Sequence, residues 1–328
     1  MLRSPALLLW GCCWLAATSV VGAEGIQPAR QGMVKYEPPA GDENIAERFR
    51  LKAHEFAFDQ QPIAAATDKL SLWTVTFPSP VVTPHENNNT VHCELFLPKK
   101  DEPVPGVIVL HILGGDFNLS RLFCAALAEK GVAALFLKMP YYGPRQQPGV
   151  KRRMISPNPA ETVEGMTQAI LDIRRATAFL AAQKEIDAKR LGIFGISLGG
   201  ITGALATTAE PRLQNCCYLL AGGDLGKVAL ESKELDKIRK ELKFTADDEA
   251  KFREVLDAID PVRYAASVKG KRILMLNAKS DEIIPKACTE SLWVAFGKPE
   301  IVWYDGGHYS VARHLLDAMR RTTDFFAQ

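Results

Sequence analysis

The sequence predicts an α/β fold with a mostly parallel central sheet and helices on both of its faces. Three observations carry that prediction. Short apolar runs recur at 107–110, 132–137, 191–194, 215–220, 273–276 and 301–304. Segments of helical period separate most of them, at 121–130, 162–184, 198–208 and 314–326. One run turns directly into a helix through the glycine-rich stretch 195–200. Strands alternating with helices at this rhythm pair in parallel through right-handed crossovers. A continuous run such as Val107-Ile108-Val109-Leu110 suits a strand buried on both faces.

Taken in order, the chain opens with an export signal over residues 1–23. Arg3 supplies a positive start, residues 6–21 are apolar, and Val21-Gly22-Ala23 offers small residues for cleavage before Glu24. The run is short for a bilayer span of roughly 20 residues, so a secreted or periplasmic protein with no stable membrane anchor is expected. Residues 24–70 read as a leader followed by a helix over 42–58, where Ile45, Phe49 and Leu51 fall at helical spacing. The main domain is expected over 71–328. Residues 72–77 and 91–97 alternate around Asn87-Asn88-Asn89, as in an antiparallel hairpin at the sheet's edge. The helix at 121–130 is stopped by Gly131, and the long one at 162–184 is introduced by Pro159 and Glu161.

The charged stretch 222–264 breaks the alternation, with Thr245 and Asp248 spaced as a capping box. An excursion between two core strands is a place for a lid over a site, and equally for a solvated pair of helices.

Composition narrows the functional classes. A formal net charge of +2 gives no argument for a nucleic-acid partner. Lys151-Arg152-Arg153 reads as a solvated face. Of seven cysteines, Cys12 and Cys13 fall in the signal. The others (Cys93, Cys124, Cys216, Cys217 and Cys288) are too scattered for a disulfide scaffold, and core packing accounts for the adjacent pair Cys216 and Cys217. No Cys/His spacing reads as a zinc site, so neither a metal nor an organic cofactor is expected.

The strongest chemical signal is Gly195-Ile196-Ser197-Leu198-Gly199-Gly200. A serine hydroxyl attacks only when a base reaches it and the backbone thrusts it into open space. Glycines two before and two after Ser197 permit the tight strand-to-helix turn that does this. With its flanking strand and helix, the motif resembles the α/β-hydrolase superfamily over the span from about residue 72 to the C terminus. The phrase Asp187-Ala188-Lys189-Arg190-Leu191-Gly192-Ile193-Phe194 leading into it resembles the dienelactone-hydrolase-like and prolyl-oligopeptidase-like branches. Dienelactone hydrolases proper carry cysteine as nucleophile; Ser197 here points to ordinary ester chemistry.

The resemblance implies the order nucleophile, acid, histidine. His308 follows the last strand in Asp305-Gly306-Gly307-His308-Tyr309, and His314 is the other histidine after Ser197. Asp281, in Asn277-Ala278-Lys279-Ser280-Asp281-Glu282-Ile283-Ile284-Pro285, matches the acid loop, with Glu282 and Asp305 as competitors. The superfamily's oxyanion hole implies the backbone N–H of Leu198 and a second donor from His111-Ile112-Leu113-Gly114-Gly115-Asp116, either Leu113 or Gly114. His111 is expected to be structural. Tyr141, Tyr142 and Arg145 follow the next strand and are candidates for the substrate-binding rim.

The expected function is that of a secreted carboxylesterase on a small-molecule or carbohydrate-borne ester, working through Ser197, His308 and Asp281. A prolyl-oligopeptidase-like serine peptidase and a non-catalytic binding protein that keeps the fold are the alternatives. Asn88-Asn89-Thr90 and Asn118-Leu119-Ser120 match N-glycosylation acceptors.

Overall fold

The computed structural model describes residues 27–63, 67–233, 236 and 246–328. The expected signal segment and Thr245 of the expected capping box lie outside the described residues, as does the side chain of Asp248.

The strands are β1 (Arg30–Tyr36), β2 (His54–Pro62), β3 (Leu70–Pro78), β4 (Thr90–Pro98), β5 (Val104–Leu110), β6 (Ala133–Lys138), β7 (Ile186–Ile196), β8 (Asn215–Leu219), β9 (Arg272–Ala278) and β10 (Glu300–Tyr304). They form one sheet in the order β1-β2-β3-β4-β6-β5-β7-β8-β9-β10. Strands β1 to β4 pair antiparallel, as does β4 with β6. From β6 to β10 every pairing is parallel. The parallel part therefore delivers the C-terminal ends of β5, β7, β8, β9 and β10 to one rim of the sheet, where open α/β sheets bind their ligands.

Burial follows the residue pattern. Along β5, Ile108 and Leu110 enter one core while Val107 and Val109 enter the other, and all four are fully buried. The first core receives helices α2 (Pro159–Ala181) and α3 (Leu198–Ala209). It also receives α4 (Leu225–Glu231), α5 (Ala246–Asp257) and α6 (Lys286–Ala295). The opposite core receives α1 (Phe117–Glu129) through Phe123, Cys124 and Leu127, and α7 (Leu315–Ala327) through Ala318, Phe325 and Phe326. Local chemistry sets the helix starts. Asp116 accepts from Asn118 N–H at the head of α1, and Asn158 accepts from Ala160 N–H at the head of α2, with Pro159 in the first turn. Cys93, Cys124, Cys216, Cys217 and Cys288 are free and buried. Among the described residues, no helix is long and apolar enough to cross a membrane.

Four expectations are corrected. The helix at 42–58 is instead two short 3₁₀ turns, Asp42–Asn44 and Glu47–Phe49, followed by β2. Phe56 and Gln60 are buried between exposed Glu55, Ala57 and Gln61, a period of two that overrides the helical spacing of Ile45 and Phe49. The domain does not begin at residue 71, because β1 and β2 extend the same sheet and Val34, Tyr36 and Phe56 join its core. For the same reason the β3–β4 hairpin is not at the edge. Finally, Arg152 is not part of a solvated face: its guanidinium lies 4.6 Å over the Tyr141 ring and its side chain is only 9% exposed. Lys151 and Arg153 beside it are exposed.

Candidate active site

Strand β7 ends at Ile196 and α3 begins at Leu198, leaving Ser197 alone to make the turn. Its φ of 55° and ψ of −116° lie outside the regions that L-residues favour, and the conformation stores strain at the tip of the turn. The glycines make the turn possible. A Cβ on Gly195 would stand 2.0 Å from the carbonyl oxygen of Gly199, and one on Gly199 would stand 2.6 Å from that of His111. Ser197 N–H donates to the carbonyl of Leu219 at 2.8 Å, pinning the turn to β8.

Asp281 follows β9 and His308 follows β10, so adjacent parallel strands bring both toward Ser197. The carboxylate of Asp281 accepts from His308 Nδ1 at 2.8 Å and 3.0 Å. His308 Nε2 lies 3.0 Å from Ser197 Oγ. Because the carboxylate accepts, Nδ1 carries the proton and Nε2 presents a lone pair to the serine hydroxyl. All three side chains are buried. The N–H groups of Ile283 and Ile284 donate to Asp281 Oδ1 at 2.9 and 2.7 Å, fixing the carboxylate in place.

The competing acids fall elsewhere. Glu282 Oε2 accepts from the backbone N–H of His308 at 3.0 Å, which holds its carboxyl below the usual range. Asp305 is exposed and paired with Lys279, and His314 stacks on Tyr304 at the start of α7. Glu282's grip on the histidine loop was not foreseen. Its adjacency to Asp281 is the sequence signal that could have suggested it.

Leu198 opens α3, so its N–H is among the helix's unpaired first-turn donors and sits at the positive end of the dipole. Leu113 and Gly114 lie in the loop after β5, and both line the space beside Ser197. His111 supports this loop from below. It is fully buried, and its Nε2 accepts from Met139 N–H at 3.1 Å while Nδ1 donates to the Ile112 carbonyl at 2.8 Å. Burial pushes its pKa down to about 4, so it is neutral at ordinary pH.

Two apolar cavities meet at Ser197. One, of about 110 Å³, lies among α2, α3 and the excursion, with Met166, Ile201, Val228 and Leu256 in its walls. The other, of about 340 Å³, opens past His308 toward Leu119, Val311 and Leu315. The described part of the excursion thus covers the site rather than standing apart in solvent.

The expected rim residues are placed differently. Tyr141 and Tyr142 line neither cavity: Tyr141 packs under Arg152, and Tyr142 packs edge-on against His111 with ring centroids 4.6 Å apart. Arg145 cannot meet a substrate carboxylate, since it is fully buried with its guanidinium 2.8 Å from Asp172. Helix α2 supplies that acid, and proximity in sequence to the rim gave no sign of it.

Comparisons with known proteins bear on this geometry. Residues 67–223 match the family described as alpha/beta hydrolase domain containing 18, and residues 166–328 match the prolyl oligopeptidase family. The fold is similar to that of an acetyl xylan esterase from Paenibacillus sp. R4, with a TM-score of 0.66 and 19% identity over 81% of this chain and 88% of that one. The chain belongs to the α/β-hydrolase superfamily. A second solved member, acetyl xylan esterase 1 from Thermoanaerobacterium sp. JW/SL YS485, matches this α/β-hydrolase with a TM-score of 0.61 and 18% identity, over 80% of this chain and 87% of that one. Identities this low speak for the fold alone.

Among curated relatives, an uncharacterized protein of Mycobacterium tuberculosis (strain H37Rv) is 27% identical over 223 residues, 65% of this chain and 52% of its own. A hydrolase of Pyricularia oryzae is 30% identical over 141 residues, 42% of this chain and 32% of its own. This α/β-hydrolase spans about half the length, or less, of these curated relatives.

Proposed function

We propose that this α/β-hydrolase is a serine carboxylic ester hydrolase, with Ser197 as nucleophile, His308 as general base and Asp281 as the acid that orients it. The observation that carries the proposal is the continuous line from Asp281 through His308 to Ser197 Oγ, with contacts of 2.8 and 3.0 Å, closed over by apolar walls. In that line His308 Nε2 removes the proton as Ser197 Oγ attacks the ester carbonyl, and Asp281 stabilises the imidazolium that forms. The oxyanion is held by the N–H of Leu198 together with that of Leu113 or Gly114; losing one such donor costs about 10²–10³ in rate. His308 then protonates the departing alcohol, and water, deprotonated by the same nitrogen, releases the acid from Ser197.

The match to the prolyl oligopeptidase family favours a peptidase as second reading. Against it, the described residues lining the two cavities include no Asp, Glu, Lys or Arg, with His308 and Tyr309 the titratable side chains there, so no carboxylate or fixed cation faces a peptide terminus or a charged side chain. Export remains part of the proposal, on Arg3 and the apolar run that follows it. N-terminal sequencing of protein recovered outside the cytoplasm would start near Glu24 if the signal is cleaved.

The deciding experiment is hydrolysis of p-nitrophenyl esters by the wild type, Ser197→Ala and Asp281→Asn. Ser197→Ala should lower kcat by roughly 10⁴–10⁶-fold, and Asp281→Asn by about 10⁴-fold through loss of the correct tautomer. A folded Ser197→Ala variant as active as wild type would sink the proposal.

A further inference from the structure

The two cavities that meet at Ser197 differ in one respect that assigns them. The larger is bordered by His308 and by the loop that follows it; the smaller is not, and is bordered by Leu198. In the tetrahedral intermediate the carbonyl carbon has four substituents: Ser197 Oγ, the oxyanion, the leaving oxygen and the acyl carbon. The leaving oxygen must face His308 Nε2 to receive its proton, and the oxyanion must face the backbone donors. The acyl carbon is left with the direction away from His308, into the smaller cavity.

We propose that the cavity of about 110 Å³ walled by the excursion holds the acyl chain, that the cavity of about 340 Å³ beside His308 holds the alcohol, and that the substrate is an ester apolar on both sides. This rests on the serine-esterase reading above and names its substrate class.

The linings support the class. Thr162 and Ser232, with Ser197 itself, are the hydroxyl groups among the described residues around the smaller cavity; its other walls are aliphatic or methionine. Around the larger one stand Leu119, Leu219, Leu220, Val311 and Leu315. His308 and Tyr309 are the polar side chains beside Ser197 there, so a sugar would still bury most of its hydroxyls against hydrocarbon, a penalty that an alkyl alcohol avoids. A small volume on the acyl side and a larger one on the alcohol side predict a short acyl chain and a bulkier leaving group. The carbohydrate-borne ester expected from the sequence is therefore disfavoured.

Two residues divide the prediction. Ala229 lies on α4 against the smaller cavity, and Ala312 lies exposed at the larger one. Activity is followed by acid release on two series, ethyl esters from acetate to decanoate and butyrate esters of methanol to octanol, with acetylated methyl xyloside as the polar comparator. Ala229→Phe should shorten the longest acyl chain accepted, lowering kcat/KM roughly 10-fold or more per excluded methylene, and leave the shape of the alcohol profile as it was. Ala312→Phe should do the reverse. Leu256→Ala, on another wall of the smaller cavity, should move the acyl optimum to longer chains and serves if Ala229→Phe does not fold.

Exchanged effects, with Ala229→Phe narrowing the alcohol range, would overturn the assignment while leaving the esterase reading intact. Faster turnover of the xyloside than of hexyl butyrate would overturn the apolar class. Loss of both series in wild type, or their survival in Ser197→Ala, would strike at the underlying reading instead.

Discussion

His111 ties the loop after β5 to the loop after β6 with its two ring nitrogens, and it does so only while neutral. Its ordinary pKa near 6.5 falls to about 4 in the fold because burial penalises the cation. Between those values the unfolded chain binds the proton that the folded chain refuses, so stability falls as pH drops from about 6.5 to 4 and is untouched by this residue above that window. The full loss is at most about 3 kcal/mol. His111→Gln keeps an acceptor and a donor without titrating, so thermal melts at pH 7.5 and 4.5 should show a smaller drop for the variant; equal drops would refute the account. Glu282 acts at the same scale on His308, holding its backbone while Asp281 holds its ring. Glu282→Ala should lower kcat roughly 10-fold with KM little changed, and Glu282→Gln, which still offers an oxygen, should recover most of it. A change confined to KM would instead place Glu282 in substrate binding.

At the scale of elements, the strand–turn–helix at Ser197 depends on close backbone approach. A methyl on Gly199 would meet the carbonyls of Leu110 and His111 at 2.7 and 2.6 Å, and neither can yield without parting α3 from β5. Gly199→Ala should therefore cost stability by about 1–3 kcal/mol and lower activity beyond what that loss explains, measured by denaturant midpoints beside ester turnover. This element was legible in the sequence because everything it needs is local: a buried strand, a glycine on each side of the serine, a helix at once afterwards. The parallel strands were legible for a related reason, since burial on both faces writes a continuous apolar run such as residues 107–110. Strands β1 and β2 were not, because fewer than half of each strand's residues are buried and neither writes a continuous apolar run. The cavity walls escaped for a different reason. Val228 and Leu256 reach Ser197 only through the path of the excursion, which periodicity does not report.

Across the whole molecule, the antiparallel wing must be joined to the parallel half that carries the site, and a buried polar network does this beneath the rim. Arg145, just past β6, donates to the carbonyls of Lys138 and Asn88 and lies 2.8 Å from Asp172 on α2. Ser79, at the end of β3, donates to Asp172, while Asn88 and Gln168 hydrogen-bond each other. Arg145 and Asp172 are both fully buried, so each charge is tolerable only beside the other. Burial still pushes the Asp172 pKa up, with Arg145 as the largest opposing influence. Arg145→Met removes that influence and strands the carboxylate, at a cost of about 3–5 kcal/mol. The melting temperature should fall on the order of 10 °C, although no atom of Arg145 lines either cavity. Adding Asp172→Asn removes the charge left behind, so the double variant should melt above Arg145→Met alone. If the pair instead contributed only packing, the two losses would add and the double variant would be the less stable. Calorimetry on the wild type, the two single variants and the double variant separates these cases, with ester turnover below the transition checking that the wing is a support for the site and not a part of it.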